Sequence, residues 1–158
     1  MLKSSNHGTY TSLDSFESTK CEPAAFAGGT TNARGDDGGT GDPYTLFTVT
    51  GDVLVGIFGV CTVDLVSAGG GTLEVGVTGN TAALIPQTTA TAIDANEIWL
   101  DSTPAVGADV SDALTFSYVV NGLDIIETVG TADVTAGNVY YVCLWRPISH
   151  NASVVSAV

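Results

Sequence analysis

Few residues in this sequence are of the types that perform catalysis. His7 and His150 are the only histidines, and both lie outside every strand predicted below. A Ser–His–Asp or Cys–His site requires a base that a rigid scaffold holds within hydrogen-bonding distance of its nucleophile. We therefore predict that both histidines are exposed on the surface and that the protein is not an enzyme.

The three cysteines, Cys21, Cys61 and Cys143, lack the CxxC spacing of a zinc or redox site. Cys61 and Cys143 fall on the inward side of predicted strands, where free cysteine commonly acts as a small buried hydrophobic residue. We predict no metal site; a metal pair or a core disulfide at these two positions is the alternative. The glycine runs lack the Lys-Ser/Thr of a phosphate loop, so we predict no cofactor.

Carboxylates are the most abundant groups that could do chemistry. The stretch from Asp36 to Asp42 lacks the downstream acid that completes an EF-hand loop, so we predict a solvated loop there. Paired acids for glycoside hydrolysis could come from carboxylates on or beside predicted strands, which are Glu74, Glu97, Asp101 and Glu127. Such an enzyme needs a cleft that is usually lined by aromatic rings, and aromatic residues make up only 8% of the chain.

Composition excludes several classes of partner. The chain has 158 residues and a formal net charge of −13, with 17 Asp and Glu against 4 Lys and Arg. Four cationic side chains are too few to neutralise a phosphate backbone or to bind an anionic lipid surface. We therefore predict no direct nucleic-acid binding and no membrane attachment. No stretch approaches the roughly 18 apolar residues of a membrane-spanning helix, and no signal peptide is evident. We expect a soluble protein made in a reducing cytoplasm.

A change in composition near Asp42 and Pro43 divides the chain. Residues 1–43 are rich in Ser, Thr, Gly and Asn and contain few large apolar side chains. Such a segment cannot by itself bury enough apolar surface to offset its ordering entropy. We predict a long, low-complexity N-terminal arm over residues 1–43, extended or flexible, and a β-sandwich or barrel body over residues 44–158.

Alternating apolar patterns predict strands throughout the body. The longest runs from Val53 to Leu65, and shorter ones cover residues 72–78, 114–120, 123–129 and 139–145, the last of which Pro147 ends. Asn121-Gly122 favours a type I′ hairpin turn, and residues 81–84 could form one helical turn. Recurrent turn signals between short strands favour an all-β, antiparallel sandwich or barrel.

The longest predicted strand has a second apolar side. Leu54, Phe58 and Val60 alternate with the residues expected to face the core. Either an opposing sheet covers them, or this surface meets a sister subunit.

Two stretches of the body resemble small virion proteins of tailed bacteriophages. They read GTLEVGVTGNTAALIPQTTATAIDANEIWLD at 71–101 and ADVTAGNVYYVCLWRPIS at 132–149, within a resemblance that extends from about Phe47 to Ile148. The resemblance implies a non-enzymatic capsid decoration (cement) protein on the outer surface of the virion. Such a protein stabilises the shell by bridging subunits of the major capsid protein. The resemblance also implies a homotrimer and supplies no catalytic residues.

By that analogy, we predict that the arm docks on the major capsid protein or on a sister subunit. Its scattered apolar residues would be the anchors, as buried aromatic residues usually are at interfaces. The complete set of predicted interface residues is Tyr10, Leu13, Phe16, Phe26, Leu54, Phe58 and Trp99.

Two other functions remain open. A phage tail or fibre component would contact the host surface through exposed aromatic residues and the Arg34-Gly35-Asp36 tripeptide. A carbohydrate-binding β-sandwich module would need a row of exposed aromatic rings, for which Trp99 and Tyr140 are poor candidates.

Overall fold

A computed structural model describes residues 16–30, 32–39, 42–108 and 118–158. These residues form eleven strands and one short 3-10 turn, Ala90–Ala92. In chain order the strands are β1 (Glu17–Cys21), β2 (Tyr44–Thr50), β3 (Asp52–Val66), β4 (Thr72–Val77), β5 (Asn80–Thr89), β6 (Glu97–Trp99), β7 (Ala105–Val106), β8 (Tyr118–Asn121), β9 (Ile125–Gly130), β10 (Ala136–Pro147) and β11 (Ser153–Ser156).

The strands form two antiparallel sheets that pack face to face as a sandwich. One sheet has six strands in the order β1-β10-β3-β6-β7, with β8 also paired to β3. The other has five strands in the order β11-β2-β9-β4-β5. The predicted all-β antiparallel fold is therefore confirmed, and of the two predicted architectures the molecule adopts the sandwich.

The long strands β3 and β10 form the centre of the six-stranded sheet. They pair from Val53↔Pro147 to Val66↔Ala136, with register shifts near Asn138. Valine and isoleucine dominate the inward side of β3, as expected for β-branched residues that pack well on a pleated surface. The alternation predicted for β3 is confirmed at Val53, Val55 and Ile57, which are all buried. Val63 is exposed although Leu65 beyond it is buried, because the pairing with β10 shifts register opposite Asn138.

Two local predictions are wrong. Residues 81–84 belong to strand β5 instead of a helical turn, because β5 pairs along β4. Asn121-Gly122 does not close a hairpin, since β8 pairs with β3 in one sheet while β9 pairs with β2 and β4 in the other. Gly122 has a φ of +61° and its N–H bonds to the Gly51 carbonyl at 2.9 Å, so this turn carries the chain between the two layers.

The described part of residues 1–43 is not an arm separate from the body. Strand β1 pairs with β10 from Glu17↔Trp145 to Cys21↔Tyr141, and Cys21 and Phe26 are buried in the core. This segment is poor in apolar residues, but Cys21 and Phe26 belong to the hydrophobic core. The residues from β1 onward are therefore part of the sandwich, although they precede the boundary predicted at residue 43.

Candidate functional site

A loop between β1 and β2 brings Arg34 into the interior. The Phe26 and Gly28 amides donate to the carbonyls of Gly137 and Val134 at 3.0 and 2.9 Å. In return, the Val134 amide donates to the Gly35 carbonyl at 2.8 Å. These bonds fix the loop against the stretch before β10, so that the arginine side chain points between the layers.

Two glycines make this close approach of backbones feasible. A Cβ on Gly28 would collide with the Gly35 carbonyl, and a Cβ on Gly35 would collide with the Val134 carbonyl. Gly35 also has a φ of +106°, a conformation that L side chains rarely adopt. The loop therefore needs glycine at both positions to present Arg34.

All five N–H groups of the Arg34 guanidinium have an acceptor within reach. Its Nε and Nη2 donate to the two oxygens of Glu127 at 2.8 and 2.7 Å. Its Nη1 donates to the Ala24 carbonyl at 2.8 Å and to Asn138 Oδ1 at 3.3 Å, while Nη2 also donates to the Val139 carbonyl at 3.2 Å. A guanidinium has five donors in a fixed planar fork, so this site uses its full hydrogen-bonding capacity.

Aromatic rings complete the surroundings of the guanidinium. Its carbon lies 3.9 Å from the centroid of the Phe26 ring and 5.6 and 5.9 Å from the centroids of Tyr44 and Tyr141. The negative face of an aromatic ring attracts a cation at such distances. The cation is thus enclosed by rings as well as by acceptors.

Glu127 accepts a third bond, from the Tyr141 hydroxyl. Burial alone would lower the pKa of Arg34, but the charge and hydrogen bonds of Glu127 outweigh it, and the net pKa is raised. Burial and the neighbouring Glu127 carboxylate raise the pKa of Tyr141 well above its ordinary value. Both groups therefore keep their protons, and the cluster is a charged pair with a neutral phenol.

The sequence contains a signal for this cluster in the pattern of β9. On β9, Ile125, Glu127 and Val129 alternate on the buried side, which places a carboxylate among core residues. A buried carboxylate requires a cation or several donors. The chain has only two arginines, Arg34 and Arg146, so a partner for Glu127 could have been sought among very few residues.

Five of the seven predicted interface residues are described, and they occupy three different environments. Phe26 and Trp99 are core residues, 3% and 0% exposed, and the Trp99 indole N–H donates to Thr88 Oγ1 at 2.9 Å. Leu54 and Phe58 are partly exposed on the side of β3 that faces away from the other sheet. Phe16 is 36% exposed, and its ring lies 4.4 Å from the Arg146 guanidinium carbon. Tyr10 and Leu13 lie outside the described residues.

The structure buries residues on which two alternative functions depended, namely the phage tail or fibre component and the carbohydrate-binding module. Arg34 is only 4% exposed, so the Arg34-Gly35-Asp36 tripeptide does not present its cation for adhesion. Trp99 is fully buried and cannot join Tyr140 in a sugar-binding row.

The other candidate groups for chemistry have structural roles. Glu127 is paired with Arg34, while Glu97 accepts the Asp94 amide and Asp101 accepts the Thr103 amide. In the acidic stretch, Asp36 accepts the Gly29 amide and Asp42 accepts the Val129 amide at 2.9 Å. All of these carboxylates except Glu127 thus accept hydrogen bonds from backbone amides of the scaffold.

The cysteines behave as buried apolar residues. Cys21, Cys61 and Cys143 are free thiols that are at most 1% exposed. Burial raises the pKa of Cys61 to about 11 and that of Cys143 to about 12. Over the described ranges, no group of three or more His, Cys, Asp or Glu side chains is placed to hold a metal ion.

His150 is exposed in the turn after β10, as predicted, whereas His7 lies outside the described residues. In the part of the chain that is described, no helix is long and apolar enough to cross a membrane. No protein-family model, curated protein or solved structure matches this chain.

Proposed function

We propose that this chain is a non-enzymatic structural protein of a tailed-bacteriophage virion, and specifically a decoration protein of the capsid. It binds the outer shell after synthesis in the host cytoplasm and stabilises the shell by bridging subunits of the major capsid protein. Its partners are the major capsid protein and other copies of itself, three per assembly in the arrangement that the resemblance implies.

The observation that carries this proposal is the internal pairing of the buried Arg34, Glu127 and Tyr141 side chains. The Arg34 guanidinium donates to acceptors of the same chain, and the two oxygens of Glu127 accept hydrogen bonds from Arg34 and Tyr141. A fully paired buried network makes a rigid scaffold and leaves no activated group for a substrate. A passive bridging protein requires such a scaffold.

The pairing of β1 with β10 and the burial of Phe26 change which residues are proposed to contact the capsid. Phe26 is committed to the core, so it is withdrawn as an anchor. Tyr10 and Leu13 are retained as anchors, since they precede β1 in the chain. Phe16 is retained because it is partly exposed beside β1.

The proposal is tested by mixing the purified protein with empty shells. If the major capsid gene lies beside the gene of this chain, its product supplies the shells. We expect the full chain to co-sediment with shells and to raise their melting temperature, because a ligand that binds only the assembled state stabilises it. A folded full chain that stays in the supernatant contradicts the proposal.

A variant lacking residues 2–15 tests the anchors separately. It retains β1 and Arg34, so we expect its own melting temperature to stay near that of the full chain. Its co-sedimentation should be lost if Tyr10 and Leu13 are anchors. Undiminished occupancy of the shell would exclude this segment as the site of contact.

A further inference from the structure

The six-stranded sheet has an outer face, which points away from the five-stranded sheet. On β3, the core residues Val53 and Val55 alternate with Leu54, and the same alternation continues to Phe58 and Val60. The side chains of these even-numbered positions are absent from the buried core and are partly exposed. The five-stranded sheet therefore does not cover them. Of the two covers expected from the sequence, an opposing sheet or a sister subunit, the opposing sheet is excluded.

Strand register extends this apolar surface across the neighbouring strands. Residues opposite each other in paired strands project from the same face of a sheet. Phe58 faces Val142, Val60 faces both Tyr140 and Ile98, Leu54 faces Val119, and Gly56 faces Leu144. We call this set the outer apolar face: Leu54, Phe58, Val60, Ile98, Val119, Tyr140, Val142 and Leu144.

The outer apolar face is large enough to form the centre of an interface. From Leu54 to Val60 it extends about 20 Å along β3, at about 3.3 Å per residue. Across β10, β3 and the edge formed by β6 and β8 it spans about 14 Å, at about 4.8 Å per strand. The product, about 280 Å², is about a third of the area that each partner buries in a standard interface. Polar residues at the strand ends can supply the rim.

The distribution of charged side chains around the outer apolar face favours a second copy of the chain as its partner. The chain carries a net charge of −13, so two copies repel each other wherever carboxylates meet. The outer apolar face contains no carboxylate; Asp52 and Asp64 lie beyond it at either end of β3. Two cations border this face, since Lys20 is opposite Val142 and Arg146 is opposite Leu54, and the Lys20 charge is balanced by its ion pair with Glu22. The outer apolar face is thus a place where a second copy meets little repulsion.

We propose that a second copy of this chain packs on the outer apolar face. An apolar surface without charge at its centre is typical of interfaces between identical subunits, which are more apolar than those between transient partners. The inference deepens the proposed function by naming the surface for the self-association included there. Its test requires no capsid, so the two can fail independently.

The test measures the mass of the full chain in solution by light scattering over a range of concentrations. We expect the wild type to be a multimer and Phe58→Asp to be a monomer with an unchanged far-UV spectrum, because a buried carboxylate at the centre of the interface is uncompensated. Val155→Asp is the matched control. Val155 is 52% exposed on β11 of the other sheet, so this variant should keep the wild-type mass.

A monomeric wild type overturns the proposal and indicates that the outer apolar face is covered within one chain. A folded Phe58→Asp variant of multimeric mass overturns it as well. If Phe58→Asp is insoluble, Val119→Lys decides the matter, since Val119 is 50% exposed and tolerates a polar side chain. A monomeric Val119→Lys supports the proposal, and a multimeric one overturns it.

Discussion

Arg34 and Glu127 lie 93 residues apart in the chain and form a bidentate ion pair with both side chains buried. Arg34 comes from the loop between β1 and β2, and Glu127 from β9 in the five-stranded sheet. Tyr141, on β10 of the six-stranded sheet, bonds the same carboxylate. The pair therefore connects the N-terminal loop to both layers of the sandwich.

Neutralising the carboxylate of this pair should destabilise the protein strongly. Glu127→Gln keeps the shape of the side chain but leaves the Arg34 charge buried without a counterion, so we expect the free energy of unfolding to fall by about 3 kcal/mol. Denaturant titration measures this fall. The double variant Arg34→Met/Glu127→Met should lose less than the two single changes together, because it leaves no unpaired charge.

The exposed ion pair Lys20–Glu22 provides the control for that measurement. Its side chains are 49% and 68% exposed, so water already solvates both charges. Lys20→Met should leave the denaturation midpoint nearly unchanged. If Glu127→Gln were as mild as Lys20→Met, the buried pair would not hold the layers together.

Stability should fall at alkaline pH through groups that the fold keeps protonated. The pKa of Cys143 rises from 9.0 to about 12 on burial, and that of Tyr141 rises above 10.0. The unfolded chain therefore loses these protons first as the pH increases. The contribution of Cys143 is complete below about pH 9 and is lost toward pH 12, and that of Tyr141 is lost as the pH rises above about 10. Each proton costs about 1.4 kcal/mol per pH unit in these ranges.

Cys143→Ala should reduce the rate at which the free energy of unfolding falls with increasing pH, whatever the variant does to the stability at pH 7. Denaturant titrations at pH 8, 9 and 10 give the slope for each protein. Equal slopes for the variant and the wild type would show that Cys143 ionises equally readily in the folded and unfolded chains.

The three thiols should be unreactive in the folded protein. Cys21, Cys61 and Cys143 are at most 1% exposed, and burial raises the pKa of each, so little thiolate is present to react. We expect a thiol-specific chromogenic reagent to modify none of them in native buffer and all three in denaturant. Rapid modification of any cysteine in native buffer would contradict the structure at that position.

Gly35→Ala should be far more damaging than Gly38→Ala. Both glycines have positive φ, at +106° and +72°, so each alanine carries the backbone cost of about 1 kcal/mol. A Cβ at Gly38 has no atom within 4 Å, whereas one at Gly35 meets the Val134 carbonyl. Thermal unfolding should show a loss of about 3 kcal/mol for Gly35→Ala, and similar losses for the two variants would refute the tight loop.

The sandwich could be predicted from the sequence because its signal is local. Alternation on β3, β4 and β10 depends only on neighbouring residues, and it correctly placed Cys61 and Cys143 on the inward side of β3 and β10. The Asn121-Gly122 turn was misjudged because the same dipeptide closes a hairpin or leads between layers. The difference depends on which strands β8 and β9 pair with, and that is a long-range property.

The Arg34 site could not be predicted from composition for a related reason. A Gly- and Asp-rich segment resembles a solvated tail. Its composition does not indicate that Arg34 pairs with a buried carboxylate on β9. Trp99 was similarly predicted to be an interface residue, whereas in the structure it is buried opposite Gly59 of β3 and its ring centroid lies 6.2 Å from that of Tyr141. In both cases the fate of one residue depends on a partner distant in the chain.

The pairing of the first described strand with one of the last constrains the order of events during synthesis. Strand β1 and Arg34 leave the ribosome early, but β10 and Glu127 emerge only after most of the chain has been made. Until then the arginine has no counterion and β1 has no neighbour. We therefore expect the nascent chain to close its sandwich only near or after release, and chains that stop before Glu127 to remain without a native core.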